Sequence, residues 1–184
     1  MPVTIRTATP EDSARLAEVA AITFPLACPP HTTDAAKAAF IAEHLSESRF
    51  SDYVADADRV LLIAEDDQEG GQLGATTAIG YTMLVFGEPQ DSDVAAALRI
   101  RPAVELSKCY VLPGHHGAGV AGMLMSASLD AARARGAVGV WLGVNEENAK
   151  AQRFYGKHGF EKVGTKQFKV GDKLEDDHVL ERAL

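Results

Sequence analysis

The sequence predicts a mixed α/β fold of the α+β kind, built as a single domain over residues 1–184. Three observations lead there. Strand-like and helix-like stretches alternate along the chain, with one hairpin in its middle. "AVGVWLGV" (137–144) is a near-continuous apolar strand, the pattern of one covered on both faces. A chain of 184 residues suffices for one domain with a real core and is too short for two comfortable ones.

The elements follow in order. "PVTIRTA" (2–8) alternates apolar and polar residues as a strand does. A helix over 9–24 follows, with Thr9 as cap, Pro10 in the first helical position and Asp12 in the third-residue slot of a capping box. "CPPH" (28–31) breaks the chain, and Thr32 or Thr33 caps a helix over about 34–46 that spaces Ala36, Phe40 and Ile41 on one face. Strands over 60–66 and 76–86 make a hairpin through a turn-rich connection, 66–75. Asp91 or Ser92 caps a short helix over "DVAAALRI". A strand over 103–112 then leads through a glycine loop to an Ala-rich helix, 120–136, which Gly136 stops. After the 137–144 strand come a turn and helix within 145–160. Two weaker strands, about 161–170 and 177–183, finish the chain.

Composition narrows the function classes. Hydrophobic content of 46% with 24% charged residues is that of an ordinary globular protein, and no apolar run approaches the roughly 20 residues that span a bilayer. The amino-terminal residues lack the apolar core of a signal peptide. Cys28 and Cys109 are the only cysteines, so no disulfide framework is expected and a cytoplasmic location is. Net charge is −8 with no basic stripe, which argues against nucleic acid as the main partner; membrane is not expected either. The acidic balance suits a cationic substrate or simply aids solubility.

The chemistry concentrates in "YVLPGHHGAGVAGMLM" (110–125). Gly117, Gly119 and Gly122 satisfy the letters of a dinucleotide fingerprint. Glycines ahead of a helix start suit any phosphate, because the first turn carries unpaired N–H groups and partial positive charge. The context argues against a dinucleotide: the preceding strand is half polar (Glu105, Ser107, Lys108), and Pro113 to His116 intervene. Asp130 lies on the following helix, out of place for a ribose, while Glu146 is only a thin match. A Walker loop is excluded, since no Lys-Ser/Thr follows the glycines. His115 and His116 suggest a metal only weakly, because adjacent side chains diverge and no carboxylate-His spacing accompanies them.

"CYVLPGHHGAGVAGMLM" resembles motif A of the GNAT superfamily of acyl-CoA-dependent N-acetyltransferases. The motif's Q/R-x-x-G-x-G/A falls on His116 to Ala121, with His116 in place of the usual Gln or Arg. "VWLGVNEENAKAQRFYGKHGF" is similar to motif B of the same family, and the element order matches along nearly the whole chain. The resemblance implies a mostly antiparallel central sheet with splayed fourth and fifth strands, flanked by about four helices. "VELSKCYVLP", "WLGVNEENAKAQRFY" and the tail from Phe168 are similar to the bacterial PaiA-like branch, which acts on spermidine and spermine.

What the resemblance implies is a transferase that moves the acetyl group of acetyl-CoA, its co-substrate, to a primary amine, with no metal and no covalent enzyme intermediate. The acceptor would be a small polyamine-like amine; a protein amino terminus or a drug amine is the alternative. A homodimer is compatible with this reading. The cofactor-binding candidates are Tyr110, Val111, His116, Gly117, Ala118, Gly119, Val120, Ala121, Gly122, Asn148 and Tyr155. Tyr110 and Val111 would offer backbone groups to the pantetheine arm, and Gly117 to Gly122 would wrap the pyrophosphate. Asn148 and Tyr155, seven residues apart, would share one helix face against the cofactor. Tyr155 is the candidate acid for the leaving thiolate; its plain alternative is a core tyrosine bonded to a carbonyl. Many family members carry a Glu in the motif B strand where this chain has Gly143, so Glu105 is the candidate base, or a strand residue paired to Lys108 or Arg101. Gly143 also motivates a different class, a CoA-binding regulator without turnover. Cys109 and Trp141 read as packing residues, Cys28 as inert, and "GDKLEDD" (171–177) as a solvated turn or, by family placement, as a border to a cationic substrate.

Overall fold

The computed structural model describes residues 2–67 and 76–184, so most of the connection expected over 66–75 lies outside the described residues. Seven strands form one sheet: β1 (Val3–Thr7), β2 (Arg59–Asp67), β3 (Thr76–Val85), β4 (Ala103–Val111), β5 (Gly139–Asn145), β6 (Glu161–Val170) and β7 (Lys173–Ala183). Their order is β1-β2-β3-β4-β5-β7-β6. Every neighbouring pair is antiparallel except β4 and β5, which run parallel. Those two pair only over Ala103–Glu105 against Gly139–Trp141 and then part. The mixed sheet with its splay between the fourth and fifth strands is the expected fold class.

Among the described residues six α-helices cover the sheet: α1 (Ser13–Ala27), α2 (Asp34–His44), α3 (Glu47–Ala55), α4 (Ser92–Ala97), α5 (Val120–Ala134) and α6 (Ala149–Lys157). The resemblance implies about four, while the sequence itself places five, α4 among them although it spans Ser92–Ala97 rather than all of "DVAAALRI"; α3 is the addition. Helix α3 is capped by Ser46, whose hydroxyl accepts from Arg49 N–H at 3.3 Å, and of its nine residues only Phe50 is buried.

The start of α1 follows its sequence signals. Pro10–Asp12 form a 3₁₀ turn, and Asp12 accepts from Thr9 N–H at 2.8 Å. The helix runs past Phe24 to Ala27 and carries Pro25 in its last turn, where the missing N–H removes only one bond near the helix end. Thr33, not Thr32, caps α2, accepting from Ala36 N–H at 3.1 Å. Phe40 of α2 stacks on Phe24 of α1 with centroids 4.4 Å apart.

Two apolar layers sandwich the sheet. Leu61, Ile63, Tyr81 and Met83 pack under α1 and α3, while Val104, Leu106, Val140 and Leu142 pack against Met125 and Leu129 of α5. Strand β4 changes which side chains face which layer. Its register against β3 slips between Met83 and Leu84, so Ser107 has no ladder partner. Before this bulge Val104 and Leu106 face α5; after it Cys109 and Val111 do, while Tyr110 and Leu112 face the α1 layer.

Sequence and structure differ most at the carboxyl end. The solvated turn expected over 171–177 is confined to Gly171–Asp172, and β7 begins at Lys173. Within that strand Glu175 and Asp177 are 9% and 6% exposed. Alternation puts these carboxylates on the inner face, which the acidic composition of the stretch concealed.

Candidate active site

Strand separation is where the site begins. Beyond Glu105, β4 has lost its β5 neighbour, so the edge of Leu106–Val111 that would face β5 is open to a ligand. A cavity of about 690 Å³ fills the gap. It reaches from the start of α5 and the side of α6, past both splayed strands, to the end of α1 and the β6–β7 hairpin.

The α5 end suits a phosphate. Gly119 is the helix cap and adopts φ +73°, a left-handed backbone that glycine accepts without strain. The first bond of the helix runs from Met123 N–H to the Gly119 carbonyl at 3.0 Å, which leaves the N–H groups of the first turn free. Gly119, Ala121, Gly122 and His116 line the cavity here. Gly117 and Ala118 belong to the 3₁₀ turn before the helix; Gly117 is not among the lining residues, nor is Val120, whose side chain is buried in the core. Burial and the neighbouring Lys150 and His115 lower the pKa of His116, so its ring offers an uncharged N–H at neutral pH. Lys150, on the first turn of α6, adds a cation at this mouth. Sequence reasoning passed over it, although its place two residues after "NEEN" was visible.

The middle of the cavity holds the two candidates from motif B. The Asn148 side-chain oxygen caps α6, accepting from Ala151 N–H at 3.1 Å, so its amide N–H₂ is left for another acceptor. Tyr155 lies on the same cavity wall, packed beside Phe154 and Phe160. Among the described residues nothing hydrogen-bonds its hydroxyl, so the carbonyl-bonded core tyrosine is not what the structure contains. Burial, with lesser contributions from Cys109 and Tyr110, pushes its pKa well above the ordinary phenol value and keeps the proton on at neutral pH. Tyr110 and Val111 reach the cavity from β4. Cys109 borders it as well, but packs toward α5, and burial raises its thiol to about 12, which suits a packing residue.

The far end is rich in charge. Glu105 lines it and pairs with neither of its expected partners: Arg101 bonds Glu88 instead, and no ion pair joins Glu105 to Lys108. Burial raises the Glu105 pKa against the pull of Lys166, Lys108 and Arg59. Burial likewise lowers Lys108 to about 8, against the pull of Glu105. From β7 come Glu175 and Asp177, which sequence reasoning placed on a turn. Glu175 is held by His31 of the "CPPH" break at 2.6 Å, tying the α1–α2 connection to the sheet. Trp141 points away into a core with Val94 and Val179.

The geometry described so far, a splayed parallel pair with a glycine-capped helix beside it, defines a class. Residues 25–160 match the Acetyltransferase (GNAT) family, and the chain belongs to it. An uncharacterized N-acetyltransferase of Mycobacterium tuberculosis is 44% identical over 173 residues, covering 94% of this chain and 98% of that protein. A streptothricin acetyltransferase of Streptomyces lavendulae is 29% identical over 132 residues, 68% of this chain and 70% of its own length. Among solved structures, a PaiA N-acetyltransferase of Thermoplasma acidophilum in complex with coenzyme A shares the fold, with TM-score 0.76 and 20% identity over 100% of both chains. The protein is an N-acetyltransferase of the GNAT type.

Proposed function

We infer that the protein transfers the acetyl group of acetyl-CoA to a small polyamine-like amine by direct attack. The observation that supports this reading is the opposed character of the cavity's two ends. Free N–H groups of α5, with Lys150 and His116, favour a pyrophosphate at one end. Glu105, Glu175 and Asp177 outnumber Lys108 and Lys166 at the other, and favour a cationic acceptor. A polyamine brings one amino group to react and further ammonium groups for the remaining carboxylates. The likeness of "VELSKCYVLP" to the PaiA-like branch points the same way.

In this reading the bound thioester supplies the acetyl group, and the chain's own groups hold and assist it. Backbone groups of Tyr110 and Val111, on the open edge of β4, fix the pantetheine arm; an N–H there stabilises negative charge growing on the carbonyl oxygen. Asn148 donates its amide to the cofactor chain. Tyr155 hands its proton to the departing thiolate. Glu105, at the closed base of the splay where β4 still pairs with β5, receives a distal ammonium of the acceptor.

A second reading, a drug amine as acceptor, is supported by the likeness to the streptothricin enzyme. The two are separated by offering acetyl-CoA with spermidine, spermine, a peptide bearing a free amino terminus, and streptothricin, and weighing the products by mass spectrometry. Polyamine acetylation with the highest kcat/KM is expected. A preference for streptothricin or the peptide replaces the acceptor, and acetyl-CoA binding without release of thiol to any amine contradicts the whole reading.

A further inference from the structure

Among the described residues Asp177 is the cavity carboxylate with a fully buried oxygen, Oδ1, that nothing bonds. Glu175 by contrast is held by His31. Lys166 stands directly opposite Asp177 in the β6–β7 ladder, yet makes no ion pair with it within 4.0 Å; its Nζ lies over the Phe168 ring, 5.4 Å from the centroid. A buried carboxylate left unpaired costs free energy, so its persistence calls for a task.

Its position supplies one. Gly143 of β5 is a diagonal neighbour across the β5–β7 ladder, and a Cβ built on Gly143 would come 3.3 Å from Asp177 Oδ2 and 3.3 Å from the Lys166 side chain. Any side chain at 143 would therefore crowd the carboxylate that now opens into the cavity. This point lies two residues beyond Trp141, where β5 has already left β4, so the carboxylate borders the gap itself. Glu105 does not share that place: it sits where the two strands still pair, among Lys166, Lys108 and Arg59.

We propose that Asp177 accepts the proton from the ammonium of the acceptor amine, through the opening that Gly143 leaves. This rests on the acetyltransfer reading above. One N–H proton of the ammonium moves to the Asp177 carboxylate, and the freed electron pair forms the C–N bond at the thioester carbonyl carbon. The C–S bond breaks with its electrons on sulfur, and the thiolate takes up one proton, balanced by the second N–H proton that the new amide nitrogen sheds. Asp177 returns its proton to solvent. The sum is ammonium plus thioester giving amide, thiol and one proton.

Burial sets Asp177 at about 6, opposed by Lys166 and reinforced by Glu175 and Asp176, and Tyr110 faces it from β4. A base with that pKa is ionised at neutral pH and still basic enough to receive a proton.

The test uses the full chain, acetyl-CoA and the best amine of the acceptor panel. In the wild type kcat/KM should rise with pH through about 6 and then level off. In Asp177→Asn it should fall on the order of a hundredfold at pH 7 with acetyl-CoA affinity retained. What activity remains should climb about tenfold per pH unit toward the amine's own pKa, because only neutral amine then reacts. An Asp177→Asn enzyme with the wild-type rate and profile overturns the proposal while leaving acetyltransfer standing. So does a wild-type profile that keeps rising tenfold per unit beyond pH 8, a result that needs no variant. A wild type that acetylates no amine overturns the acetyltransfer reading, and this inference with it.

Discussion

Gly119 illustrates how one residue carries both backbone geometry and electrostatics. Its φ of +73° lets the chain turn into α5 while the first-turn N–H groups stay open. Gly119→Glu strains that backbone and places a negative charge where the pyrophosphate is proposed to sit. Acetyl-CoA affinity should fall at least about a hundredfold by calorimetry; unchanged affinity would move the phosphate site elsewhere. Tyr155→Phe should separate binding from chemistry, lowering kcat by about a hundredfold while leaving acetyl-CoA affinity nearly unchanged. Equal kcat would assign the proton to another donor. Gly119 and Asn148 were legible because they belong to local runs of letters around helix starts, and Tyr155 because it follows Asn148 by two turns in the same run. Asp177 was not. Its meeting with Gly143 depends on how β5 and β7 pair, and adjacent acidic letters read as a solvated turn until alternation along a strand sorts them into inner and outer faces.

At the scale of elements, the entry to α1 is fastened by charge rather than by apolar area. Arg6 of β1 bonds Asp12 at 2.7 Å and Glu65 of β2 at 2.8 Å; Arg15 of α1 reaches Glu65 at 2.7 Å and the Thr76 carbonyl of β3 at 3.1 Å. Arg6 and burial act against each other on both carboxylates, and Arg6 wins: it holds Asp12 well below the usual carboxylate range and lowers Glu65 from its ordinary value. A lowered pKa means stability that is present above the unfolded-state value and lost as pH falls through the folded one. The network's contribution to thermal stability should therefore be fully present and independent of pH near neutrality, and should decline below about pH 4. Asp12→Ala should cost about 2 kcal/mol at pH 7, measured by denaturant unfolding, and should flatten the acid decline. A variant as stable as the wild type would show the network to be ornamental. The sequence revealed Asp12 as the third residue of a capping box but not as a cross-strand anchor, since the partners Arg6 and Glu65 meet only through the β1–β2 ladder. The Ser107 bulge was equally hidden: it leaves no letter pattern, yet it turns Tyr110 toward the α1 layer and Cys109 toward α5.

For the whole molecule, the decisive feature is that β4 and β5 pair for only three residues and then open a passage through the sheet. Apolar strands, helix caps and motif spacing made the element order readable, and with it the fold class. The passage itself arises from where two distant strands stop pairing. It puts a helix amino terminus at one end and carboxylates at the other, and in the proposed reading both substrates meet there without a covalent relay through the enzyme. That simultaneous occupancy is the central claim, and initial rates with acetyl-CoA and the acceptor amine both varied test it most directly. Double-reciprocal lines should intersect, as direct transfer within a ternary complex requires. Parallel lines, with an acetyl group retained on the protein in the absence of amine, would contradict it.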